Sequence, residues 1–194
     1  EGGARIGYVN PDETTFTYLK DREFTPKGQA FEDAKTYWKS IASDSDAVYD
    51  DVVTIDGNTI QPMVTWGVTP GQSASVTDAI PSPESLPEDA RKNAEEAYTY
   101  MKLKPGMSMQ DIPINVAFVG SCTNSRISDL REAAKILKNH KVHPNVKILV
   151  VPGSQPIKKQ AEAEGLDQIF KAAGAEWRDA GCSMCLAMNR SEER

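Results

Sequence analysis

Apolar positions change their period twice along this chain, and each change marks an element. Asn10-Pro11 followed by Asp12 and Glu13 predicts a helix start, with a side-chain cap, a proline in the first turn and acids at the positive dipole end. That helix would run to Lys20. Phe31, Ala34, Tyr37, Trp38 and Ile41 recur at helical spacing, predicting a second helix from Gln29 to Ala42 with these aromatics in a core. The period then shortens. Asp51 to Ile55 reads as a strand, Asp56-Gly57-Asn58 as a hairpin turn, and Thr59-Ile60 as the return, which Pro62 ends or pushes to an edge. Val64 to Gly71 reads as a loop punctuated by glycine and proline. Ala79 to Glu84 looks like a linker, and Glu88 to Tyr100 a polar, solvated helix.

From residue 114 strand and helix patterns alternate. Ile114 to Val119 is a strand of buried character, and Ser128 to Asn139 a helix with Leu130, Ala133, Ala134, Ile136 and Leu137 on its apolar side. Val146 to Val151 is a second buried strand, closed by Pro152-Gly153. Ser154 can cap a helix from Pro156 to Glu164. Leu166 to Ala173 is a further helix, stopped by Gly174, and Ala175 to Arg178 a third strand. Such alternation implies a parallel sheet with right-handed crossovers. The expected class is α/β, a three-layer α/β/α arrangement with a mainly parallel sheet in the C-terminal half, after a smaller α+β segment. The expected boundary divides residues 1–80 from 81–194.

Composition narrows the function. The 194 residues hold 39% hydrophobic and 26% charged side chains, ordinary values for a globular protein. The net charge of −6 lacks the basic stripe of a nucleic-acid binder, so no such partner is expected. No apolar run approaches the ~18 residues needed to cross a bilayer. The N-terminus has no initiator Met and no export signal, which makes the cytoplasm the default compartment. Both ends read as cuts through a longer protein.

The chain has 3 cysteines, an odd set that no disulfide framework explains. Cys122 stands in Gly120-Ser121-Cys122-Thr123-Asn124-Ser125-Arg126, just past the first strand of the α/β half. Cys182 and Cys185 stand in Gly181-Cys182-Ser183-Met184-Cys185, just past the third. Ligands in such sheets bind outside the carboxyl ends of the strands, so the topology should deliver both motifs to one rim. Three thiolates suit a metal centre with one open coordination position. Thr123, Asn124 and Ser125 would open a helix whose backbone N–H groups favour thiolate, although Asn124 and Ser125 also suit plain capping. Three other readings stay open: buried inert thiols, a thioredoxin-like pair of Cys182 and Cys185, and zinc with His140 or His143 as fourth ligand. The histidines, however, precede a strand and belong to the opposite rim.

The two cysteine motifs together closely resemble the aconitase family, and the Cys182-Ser183-Met184-Cys185-Leu186-Ala187-Met188-Asn189 form resembles its isopropylmalate branch. Glu1-Gly2-Gly3-Ala4-Arg5-Ile6-Gly7, Val64-Thr65-Trp66-Gly67 and Val151-Pro152-Gly153-Ser154 agree with it. The resemblance implies a 4Fe–4S cluster held by Cys122, Cys182 and Cys185, with one iron left open to polarise a substrate hydroxyl. Asn124 matches a position beside the cluster, and Ser121 and Thr123 flank the first ligand. It further implies interconversion of 2- and 3-isopropylmalate by dehydration and rehydration in leucine biosynthesis, with a separate small subunit as partner. Homoaconitase-like or citrate-type hydration, and a cluster-free metal- or RNA-binding module, are the alternatives. Arg5 stands where aconitases carry an acidic residue. The family's upstream Asp-His pair and its downstream carboxylate-gripping segment have no counterpart in these residues, so the chain is expected to be inactive alone.

Overall fold

Three parallel strands organise the C-terminal half, and the middle one carries its core. The structure is a computed structural model and describes residues 5–66 and 69–186. Residues 1–4, Gly67-Val68 and residues 187–194, which include the last part of the second cysteine motif, lie outside the described residues. Two compact units divide at Ile60 and Gln61, twenty residues before the boundary expected from the sequence.

In the first unit α1 spans Glu13–Leu19 and α2 spans Gln29–Ser40. The cap of α1 is Asp12 rather than Asn10: its carboxylate accepts the Thr15 N–H at 2.8 Å. Asn10 Oδ1 instead accepts the Ser43 N–H. Phe16 and Phe31 are buried, and Trp38 packs on both. Lys35 and Lys39 both pair with Glu13, joining the two helices. Tyr37 and Ile41, expected in the core, are exposed, because the apolar seam is only as wide as α1.

The strand expected at Asp51 to Ile55 is absent. Those residues are exposed and belong to no strand, and among the described residues no strand pairs with them to complete a ladder. The Asp56 carboxylate accepts the Asn58 N–H and winds Gly57–Thr59 into a 3₁₀ turn where a hairpin was expected. The pairing occurs one step later. β1 (Met63–Thr65) runs antiparallel to β2 (Ser73–Ser75), with Val64 opposite Ala74, so that β1 takes in the start of the stretch expected to be a loop and β2 follows its end.

This hairpin begins the second unit. It packs with α3 (Glu88–Met101) around Trp66, Ala74, Ile80, Ala94, Tyr98 and Met109. α3 therefore has a buried face and is not simply solvated. Nor is 79–84 a linker: Ile80 is 1% exposed, exchanges backbone hydrogen bonds with Gly106 and Met107, and Tyr98 OH donates to Pro81 O.

The α/β part follows as β3 (Val116–Val119), α4 (Ile127–Leu137), β4 (Lys147–Val150), α5 (Gln155–Ala163), α6 (Leu166–Ala173) and β5 (Glu176–Trp177). The sheet order is β3-β4-β5, all parallel, with Val119 opposite Val150 and Val150 opposite Trp177. The expected parallel α/β sheet is thus present. Leu149 and Val150 on the central strand are buried, whereas β3 is half-buried throughout because it lies at an edge. Leu130, Ala134, Ala161, Leu166 and Phe170 close over Val150, and Phe170 stacks on Trp177 at 5.7 Å. Full burial of one such phenyl ring contributes about 2–3 kcal/mol. Ile136, assigned to the apolar side of α4, is exposed. Gly174 ends α6 at φ 98°, a conformation that costs glycine little.

Candidate metal centre

The carboxyl ends of β3, β4 and β5 lie side by side, and each feeds a loop carrying a candidate residue. β3 leads to Ser121-Cys122, β4 to Gly153, and β5 to the loop containing Cys182 and Cys185. The loop after β5 is anchored to α5 by the ion pair of Lys158 with Asp179. That pair lowers the Asp179 pKa from the ordinary carboxylate value and raises that of Lys158.

Two of the three cysteines meet at one hydroxyl. Ser121 Oγ lies 3.3 Å from Cys185 Sγ and 3.9 Å from Cys122 Sγ, joining loops 64 residues apart. Ser121 itself is buried, at 4% exposure, while all three cysteines are exposed and none forms a disulfide. Thr123 Oγ1 lies 3.9 Å from Cys122 Sγ, and Asn124 is exposed on the same turn. Thr123 to Ser125 do not open a helix. α4 starts at Ile127, with the Asp129 carboxylate accepting the Arg126 N–H, so neither Asn124 nor Ser125 caps it. The dipole effect falls off within about one turn, which leaves Cys122 on a turn outside the helix.

Beneath these thiols the packing is tight. The Gly153 N–H donates to Ser125 O at 3.0 Å. A Cβ at Gly153 would stand 2.8 Å from that same carbonyl and 3.1 Å from Ser121 O. Ser125 is fully buried, and among the described residues its hydroxyl has no hydrogen-bond partner. The fit of Gly153 escaped the sequence reading. Its signal was available: a glycine in the turn between a central parallel strand and the next helix commonly marks close backbone approach.

Cys182 is exposed and follows β5 as expected, but it is not drawn into the Ser121 contact. Among the described residues, no group of three His, Cys, Asp or Glu side chains is gathered to hold a metal ion. The donor chemistry nevertheless fits an iron–sulfur cluster. Thiolates are its usual ligands, and two of the thiols here share one buried hydroxyl. His140 and His143 are exposed in the turn before β4, and His143 Nδ1 accepts the Asn145 N–H, a turn role. The zinc alternative gains nothing from this arrangement.

Comparison with known proteins adds the lineage. The model of the aconitase family (aconitate hydratase) matches residues 1–194. The 3-isopropylmalate dehydratase large subunit of Microcystis aeruginosa is 64% identical over 189 residues, covering 97% of this chain and 40% of that protein. The proteins of the same name from Thermosynechococcus vestitus and Crocosphaera subtropica are 62% and 60% identical over the same coverage. The chain spans about 40% of the length of the curated relatives it matches.

Proposed function

Because the chain belongs to the aconitase family, we propose that it is the cluster-bearing part of an iron–sulfur hydro-lyase acting on isopropylmalate in leucine biosynthesis. The observation that carries the proposal is the placement of the Cys122 and Cys185 sulfurs on the single hydroxyl of Ser121, at the carboxyl rim of the sheet. The identity to proteins named 3-isopropylmalate dehydratase large subunit supports the choice of branch. Cys122, Cys182 and Cys185 would hold a 4Fe–4S cluster. When bound, that cluster supplies a Lewis acid for removing and returning the substrate hydroxyl.

The chain's own residues do the rest of the local work. Ser121 orients two of the three ligand sulfurs from below, and Thr123 lies beside the first. Asn124, exposed on the same turn, would offer its amide to a bound carboxylate or hydroxyl. Dehydration also needs a base to take the proton and cations to fix two carboxylates. Those groups would come from other parts of the enzyme and from a small subunit, with the assembled enzyme working in the cytoplasm.

The experiment is an anaerobic assay of alkene formation from 2-isopropylmalate. The expected result is no turnover by the reconstituted chain alone, and turnover once the remaining large-subunit segments and a small subunit are supplied. Preferential dehydration of citrate or homocitrate by that assembly would overturn the choice of branch.

A further inference from the structure

We infer that Gly153 is a positioning residue: the absence of a side chain there lets the end of β4 lock the Cys122 loop at the distance where Ser121 reaches both sulfurs. Its consequence for a cluster rests on the function proposed above, whereas the geometry does not. Three observations carry it. The Gly153 N–H is donated to Ser125 O at 3.0 Å, across the loop that begins at Ser121. The space for a Cβ is filled by Ser125 O at 2.8 Å and Ser121 O at 3.1 Å. Both obstacles are backbone, so no side chain can swing aside to relieve them. At Gly120, by contrast, a Cβ would meet the Phe118 ring and the Val151 side chain.

The third observation is what the clamped loop holds. Ser121 is buried and its hydroxyl bridges Cys122 and Cys185, while Ser125 is completely enclosed. The loop therefore cannot retreat inward from a methyl group at Gly153. It must move outward, carrying Ser121 and Cys122 away from Cys185. Residue 153 contributes no atom to a ligand set. It acts by fixing how far two ligand loops stand apart.

The test needs no iron, so it stands apart from the test of function. In a Cys182→Ser background, mild oxidation with diamide should form a Cys122–Cys185 disulfide, the diamide being reduced to its hydrazine as the two thiols lose their hydrogens. Peptide mass spectrometry reads the rate. Gly153→Ala should slow bond formation about tenfold, a loss of proximity. Ile80→Val, which weakens the separate core around α3, should leave the rate unchanged. An unchanged rate in Gly153→Ala, or an equal fall in Ile80→Val, would overturn the inference. Native-state hydrogen exchange in the unsubstituted chain gives a second reading that does not depend on any variant folding. The Gly153 amide should be protected like that of Val151, and exchange at an open-loop rate would overturn the inference equally.

Discussion

The Ser121 hydroxyl lies 3.3 Å from the Cys185 sulfur across 64 residues of chain, and the same oxygen faces Cys122. Toward thiolate or cluster sulfur a hydroxyl donates, drawing charge off the sulfur and raising the reduction potential. Ser121→Ala should therefore retain iron but lower the cluster potential by roughly 40 mV, about 1 kcal/mol for a one-electron couple. Potentiometric titration under anaerobic conditions measures this. An unchanged potential would remove Ser121 from the cluster's surroundings.

Ser125 gives the opposite kind of prediction. Its hydroxyl is buried without a partner among the described residues, and an enclosed polar group of this kind costs about 1–3 kcal/mol. Ser125→Ala should stabilise the chain, raising the unfolding midpoint by about 2–4 °C per kcal/mol recovered. Thermal unfolding followed by circular dichroism decides it. A fall in the midpoint would mean that the hydroxyl has a partner in solution.

The pH dependence follows from the pair that joins α4 to the end of α5. Arg131 donates to both Glu164 oxygens at 2.8 and 2.7 Å, and this lowers the Glu164 pKa from its ordinary 4.5. A lowered carboxylate stabilises the fold above the unfolded value and loses that contribution as pH falls through the folded one. Glu164→Gln should therefore narrow its stability deficit below pH 4.5 and show the full deficit at neutral pH. Unfolding midpoints across that range test the sign. A deficit that grew as pH fell would contradict it.

Much of this was legible in the chain itself, for identifiable reasons. α6 begins at Leu166 and ends at Ala173 as read, because its apolar period is strong and Gly174 supplies the left-handed stop. The meeting of the Cys122 and Cys185 loops was legible as well, since parallel strands place their carboxyl ends on one rim. The alternation at Asp51 to Ile55 misled, because a strand needs a partner that no local pattern reveals. The real hairpin hid behind Pro62 and Gly67, and its strands are three residues long. Ser121 as the shared contact and Gly153 as the clamp depend on how two distant loops approach each other. That approach is set by tertiary packing rather than by any period in the sequence.

The ligand claim is tested most directly by iron and sulfide analysis of anaerobically reconstituted chain, compared with Cys122→Ser, Cys182→Ser and Cys185→Ser. Serine oxygen is a harder ligand and holds such centres poorly. The account predicts about four iron and four sulfide per unsubstituted chain, the content of a cubane cluster, and well under one of each in every variant. Normal iron in any of the three variants would contradict that cysteine's ligand role, and no iron in the unsubstituted chain would contradict the account as a whole.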